Sequence, residues 1–211
     1  MWARGFEKHP IQITFIPPPE SGWKAATQLF PTDKELTFTA PNFQYFLDSP
    51  TELSDHQVYS WEVASPAGQT QTIRLALHHA GSDEEGQQYA EMSKRVVNEQ
   101  IGIFGELPVF DTGEYVFIAD YLPYVSGDGM EHRNSTILTS TRSLKSGAVR
   151  NLGTVSHEFV HAWNVERIRP VTLEPFNFEG ANMSDALWFA EGVTSYYTPL
   201  AIHRAGLTSL D

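Results

Sequence analysis

His157 and His161 stand four residues apart, and Glu158 follows the first of them directly. On an α-helix, positions i and i+4 share a face, so both imidazoles reach one cation. The glutamate at i+1 points to the next sector of the helix. There it takes a proton from a metal-bound water without being a ligand itself. Zinc lowers the pKa of such a water from 15.7 to about 7, which makes hydroxide available at neutral pH. Two histidines on a helix also occur as a satisfied structural pair, so a third ligand on a second element is what discriminates. Glu191 is that candidate. It lies 30 residues after His161, within Leu187-Trp188-Phe189-Ala190-Glu191-Gly192-Val193-Thr194. Its neighbours are apolar or small, which predicts a buried helix. A buried carboxylate without a partner is costly, which favours a metal or an ion pair over a surface acid. Ser195, one turn on, is placed to orient a ligand.

The chain has no cysteine, so disulfides and thiolate metal sites are excluded and any ion must sit on imidazole and carboxylate. A formal net charge of −12 without a basic stripe argues against nucleic acid and anionic lipid as partners. With 41% hydrophobic and 19% charged residues, the 211 residues have the composition of a folded chain with one sizeable core or two small ones. No apolar run approaches the roughly 20 residues a membrane helix requires. The first residues lack the apolar core of a signal peptide, and a cysteine-free soluble chain suits the cytoplasm and the periplasm equally.

The elements that must hold these residues follow from periodicity. Alternation over residues 11–15, 36–39 and 58–63 predicts strands, and Gly68 marks a turn before another strand over 70–78, so the last two form a hairpin. Residues 84–101 read as a helix with Tyr89, Met92, Val96 and Val97 inward, capped by Ser82 or Asp83 and ended by Gly102 and Gly105. Strands are expected at 115–119 and 135–140, then a loop through Gly147. The helix bearing the histidines covers residues 149–165, with Leu152, Val155, Phe159 and Trp163 as its inner face. The helix bearing Glu191 covers 184–205 with Ser184 as N-cap, and Pro170 and Pro175 keep the connection non-helical.

The blocks HEFVHAWNVERIRP and LWFAEGVTSYY, with GDGMEHRNST and FTAPNFQYFLDSPTE upstream, resemble the M61 glycyl aminopeptidase family of gluzincin zinc metallopeptidases. The resemblance implies an α+β fold: a thermolysin-like zincin catalytic domain, a mixed sheet plus zinc-site helices, preceded by part of a β-rich domain. It implies a boundary near residue 56, with 1–56 ending the β-rich domain and 57–211 forming the catalytic domain. It implies one Zn2+ per chain on His157, His161 and Glu191, with Glu158 as the base. The family is longer, with more of the β-domain before the start and a helical lobe, often with a PDZ domain, after the end. The chain therefore reads as part of a longer protein.

Gly127-Asp128-Gly129-Met130-Glu131-His132 resembles the Gly-x-Met-Glu-Asn strand of the wider aminopeptidase group, with His132 in place of Asn. By that resemblance Glu131 binds the free amine of a peptide, and Gly129 and Met130 line its backbone. The bland alternative pairs Glu131 with Arg133. Tyr196 and Tyr197 are core candidates before they are donors to an oxyanion, and Arg167 and Arg169 are read as braces of the following loop. The expected activity is a zinc aminopeptidase acting on peptides with a free N-terminus and releasing small residues, Gly or Ala. The alternatives are a zinc-binding scaffold with little turnover and a thermolysin-like endopeptidase.

Overall fold

The computed structural model describes residues 3–64 and 68–209. Its centre is a mixed five-stranded sheet. The strands are β6 (Gln57–Ala64), β7 (Thr70–His79), β8 (Glu114–Tyr121), β9 (Asp128–His132) and β10 (Ser135–Thr139), in the order β6-β7-β8-β10-β9. The expected hairpin forms: β6 pairs antiparallel with β7, from Gln57 opposite Leu77 to Ala64 opposite Thr70. β8 lies parallel to both β7 and β10, and β9 closes the edge antiparallel to β10. Before this sheet come β1 (Ile11–Thr14), β2 (Lys24–Thr27), β3 (Phe30–Pro31), β4 (Thr37–Ala40) and β5 (Thr51–Ser54), with the short helix α1 (Phe43–Leu47) between the last two. They form a three-stranded sheet, β1-β4-β3, and a two-stranded one, β2-β5.

The two faces of the central sheet carry different partners, because side chains alternate along a strand. Ile73, Leu75, Leu77, Tyr115, Phe117 and Leu138 turn to the helices and form the main core. Ala76, Val116 and Ile118 turn the other way and pack on Ala26 of β2. Helix α2 (Asp83–Phe104) crosses from β7 to β8, as a parallel pair requires. It starts with a capping box in which Ser82 and Glu85 satisfy each other's backbone N–H. It runs through Gly102 and stops at Gly105, whose φ of 75° is the left-handed conformation glycine adopts without strain.

Helix α3 (Leu144–Val160) buries Leu152, Val155 and Phe159 against the sheet, the inner face expected of it. It begins five residues before the expected start. The stretch 143–147 reads as loop by composition, but Leu144 and Gly147 are buried and hold the extra turn in place. Regular helix ends at Val160, and His161 keeps helical dihedrals as the C-cap. Helix α4 (Leu187–Arg204) packs on α3 and α2 through Ala190, Thr194, Ala201 and Ile202. Ser184 is not its cap. Its Oγ accepts from the N–H of Ala186, which itself holds the N-cap position. Contrary to the expectation of a buried helix, α4 leaves Leu187, Trp188 and Tyr196 exposed, Trp188 to 73%. One face has a partner and the other has none among the described residues. No described helix is long and apolar enough to cross a membrane.

Candidate metal centre

α3 presents His157 and His161 one turn apart, their rings 4.9 Å between centroids and inclined at 77°. α4 crosses so that Glu191 Oε2 lies 3.1 Å from His157 Nε2 and 3.8 Å from His161 Nε2. A tetrahedral ion with bonds of 2.0–2.1 Å separates its ligand atoms by about 3.3 Å. The two observed distances bracket that value, so the donor set fits a zinc-type ion in size and in chemistry. Burial, and then the neighbouring His161, hold His157 below its usual pKa, which favours the neutral ring a metal needs. Glu191 itself remains 47% exposed at its side chain, so it is open to solvent rather than sealed in the core.

The tautomer of His161 follows from its partner. Nδ1 lies 2.7 Å from the carbonyl oxygen of Asn164, which only accepts, so Nδ1 carries the proton and Nε2 turns bare to the centre. The Asn164 side chain then ties this turn to α4. Its Nδ2 donates to the carbonyls of Ala190, at 3.0 Å, and Phe189, at 3.2 Å, and to Thr194 Oγ1, at 3.2 Å. Thr194 Oγ1 and Thr198 Oγ1 lie 3.5 and 3.4 Å from Nδ1 of His161 and His157. These two threonines occupy the orienting place assigned from sequence to Ser195, which is exposed on the outer side of α4. The signal was the spacing. Positions 191, 194 and 198 share a face of the helix and 195 falls off its centre. Below the centre, Gln100 of α2 donates to Ser156 O and Oγ, and Ser156 donates to Thr198 O, so all three helices are locked at one level.

Glu158 points from α3 to the edge strand β9 and is 5% exposed. Burial, then the carboxylates of Glu131, Glu191 and Asp128, push it up to about 8. Glu131, Glu158 and His161 each offer a ligand-type atom within 4.8 Å of the others. Glu131 thus shares the centre, and the alternative pairing with Arg133 does not form: Arg133 binds Asp111 through Nε and Nη2 at 2.6 and 3.2 Å. His132, in the place of the expected Asn, binds Asp48 at 2.9 Å. Met130 is exposed. Gly129 faces Glu158 so closely that a Cβ there would lie 2.3 Å from its Oε1. Tyr197 packs on Phe104 while Tyr196 is exposed. Arg167 donates to the carbonyls of Arg133, Ala162 and Val109, and Arg169 pairs with Glu174 and Glu166, so both brace loops.

A cavity of about 1000 Å³ opens beside this centre. Met130, Glu131 and His132 line one wall, and Phe30, Tyr45 and Phe176 supply its aromatic surface. His157, His161 and Glu191 do not line it, so the large space lies next to Glu131 and not over the three convergent donors.

Residues 150–211 match the family model for M61 glycyl aminopeptidase, and residues 1–55 match that for the peptidase M61 N-terminal domain. The structure is similar to an aminopeptidase N family protein from Idiomarina loihiensis, at 25% identity and a TM-score of 0.73. The match covers 98% of this chain and 36% of that one. It is also similar to Legionella pneumophila aminopeptidase A in complex with aspartic acid, at 15% identity and a TM-score of 0.53. There the match covers 92% of this chain and 21% of the other, a likeness of fold. The comparison with curated proteins gives no match. The chain spans about a third of the length of the first of these structures and a fifth of the second.

Proposed function

Because the chain belongs to the M61 glycyl aminopeptidase family, we propose that it holds one zinc ion on His157, His161 and Glu191 and hydrolyses the first bond of a peptide with a free N-terminus. The observation that carries this reading is the convergence of the two imidazoles and the Glu191 carboxylate at 3.1 and 3.8 Å, with Glu158 and Glu131 beside them. Bound zinc supplies Lewis acidity toward the scissile carbonyl and the attacking water.

The remaining roles fall to the chain. With the charges of bound zinc and of the substrate ammonium beside it, Glu158 would be ionised, and its carboxylate oxygen accepts a proton from the attacking water and returns it to the leaving amine. Its low exposure keeps bulk water from competing for that proton. The Glu131 carboxylate holds the ammonium of the substrate, which sets the distance from the N-terminus to the bond that is cut. β9 has an unpaired edge, being last in the sheet order, and an extended peptide adds to such an edge through its main chain. Gly129 and Met130 lie on that strand. Residues 1–56 and 57–211 act as the β-rich and catalytic domains in this reading.

The test is release of amine from Gly- and Ala-anilides with and without chelator. Small residues are the expected leaving N-termini. The cavity beside Glu131 exceeds what they fill, so Leu- and Phe-anilides belong in the same panel. Equal rates with chelator sink the zinc assignment. Equal cutting of N-acetylated and free peptides removes Glu131 as the amine anchor and leaves an endopeptidase. The half-exposed Glu191 favours one further reading, a zinc-binding scaffold with slow turnover. It predicts one zinc at this centre and no hydrolysis that Glu158→Gln abolishes.

A further inference from the structure

On the face of the central sheet away from the helices, a second group of ligand-type side chains converges. His78 of β7 and Asp120 of β8 are register partners, and Glu52 of β5 reaches over them from the two-stranded sheet. His78 Nδ1 lies 3.1 Å from Asp120 Oδ1 and 3.2 Å from Glu52 Oε1. Both distances sit close to the roughly 3.3 Å that separates the ligand atoms of a tetrahedral zinc ion. On its far side, His78 Nε2 lies 3.5 Å from Asp55 Oδ1.

An independent observation points to a missing positive ligand. The Glu52 side chain is only 10% exposed, its carboxylate faces the cluster, and its Oε2 has no hydrogen-bond partner among the described residues. A buried carboxylate oxygen left unpaired is expensive, and an ion that Glu52 binds through both of its oxygens is one of the few ways to satisfy it. One imidazole N–H cannot fully serve two carboxylates, so the group carries more negative charge than its hydrogen bonds absorb. Burial and then Asp120 accordingly hold Glu52 up to about 7, although Ser54 donates to it. Buried His56, 3.9 Å from Glu52, is committed to Ser54 through Nδ1.

We propose that Glu52, His78 and Asp120 form a second divalent-cation site, of the zinc class, that clamps the β2-β5 sheet to the central sheet. Two carboxylates and one imidazole suit a first-row divalent ion, with water completing the shell. The site lies across the sheet from His157 and His161, so it is independent of the proposed peptidase centre. Its role is to hold the layers together, since Glu52 belongs to one sheet and His78 and Asp120 to the other.

The experiment counts zinc per chain by elemental analysis after equilibrium dialysis of the stripped protein. The wild type is expected to hold two, His161→Ala one, and His161→Ala combined with His78→Gln or Asp120→Asn none. In the His161→Ala background, zinc raises the unfolding temperature, and Asp120→Asn removes that rise and weakens binding at least 100-fold. Asp120→Asn preserves shape while removing the charge, so it tests the site even if His78→Gln does not fold, and near-UV circular dichroism checks each variant. A single zinc in the wild type that His161→Ala abolishes overturns the second site. Zinc in the His161→Ala chain that is unaffected by His78→Gln and Asp120→Asn overturns it too. A single zinc lost with Asp120→Asn and kept in His161→Ala supports it and instead sinks the reading of the peptidase centre.

Discussion

Gly129→Ala should slow hydrolysis without touching the metal. A Cβ at position 129 would lie 2.3 Å from Glu158 Oε1, 2.8 Å from its Cδ and 2.5 Å from Thr154 Cγ2. Ordinary contacts begin near 3.4 Å, so either Glu158 or β9 must retreat by roughly 1 Å. Glu158 gives first, because its carboxyl is the far end of a side chain, but its burial and the neighbouring Thr154 resist the move. Glu158 is 5% exposed, and Thr154 is β-branched on a helix, with a restricted χ1. A displacement of about 1 Å in a catalytic group costs on the order of 10²-fold, or about 2.7 kcal/mol of transition-state stabilisation. The expected result is a kcat for Ala-anilide reduced about 100-fold, with KM nearly unchanged and zinc content equal to wild type. A rise in KM at constant kcat would mean that Gly129 matters for pairing with the peptide and not for seating Glu158. Full activity in a folded, zinc-loaded Gly129→Ala chain refutes the steric argument outright.

Asn164→Ala should weaken zinc binding roughly 10–100-fold, because Asn164 Nδ2 ties the turn that orients His161 to the helix that carries Glu191. A competition titration against a chromogenic chelator reads this, and an unchanged affinity removes Asn164 from the positioning role. Phe159→Ala should cost about 3–5 kcal/mol in urea unfolding, since the buried ring meets Tyr115, Phe117 and Trp163 at 5.0–5.5 Å. A loss under 1 kcal/mol would mean that the α3–sheet contact is not core. His56, 2% exposed, is held down to about 4, by burial first and then by Lys24, His78 and Arg74, with Asp55 opposing. A folded pKa below the unfolded 6.5 means that the unfolded chain binds the proton first. Stability is therefore full above pH 6.5 and lost as pH falls toward 4, by on the order of 3 kcal/mol. Glu52, raised to about 7, contributes the opposite slope between pH 4.5 and 7, so the readout is the difference between wild type and His56→Gln. If that difference is constant from pH 7 to 4, His56 is not buried as a neutral ring.

Most of the secondary structure was open to periodicity because it depends on neighbours in the chain. The 58–63 and 70–78 hairpin, the capping box at Ser82 and the inner face of α3 all rest on spacings of two, three or four residues. The start of α3 escaped because Ser143, Ser146 and Gly147 have weak helical preference, and Leu144 gains its burial from contacts distant in sequence. Ser184 was misread as a cap for a related reason. Its hydroxyl has two competitors for the same short turn, Thr172 from a distant loop and the N–H of Ala186.

The types and spacings of His157, Glu158 and His161 already placed two imidazoles on one helix face with a carboxylate beside them, since an i, i+4 pair is local geometry. Whether Glu191 could join them depended on the crossing of α3 and α4, which no local pattern encodes. The fold also recast individual residues. Ser195 yields the orienting place to Thr194 and Thr198 because the helix turns them inward. Arg133 goes to Asp111 and leaves Glu131 to the centre. The helix that composition marked as buried has a bare outer face, since burial is a property of neighbours and not of the residue. Glu52, His78 and Asp120 are separated in the chain by 26 and 42 residues and carry no motif. They become a cluster only because a parallel strand register and a two-stranded sheet laid across it bring their carboxylates and imidazole within reach of one ion.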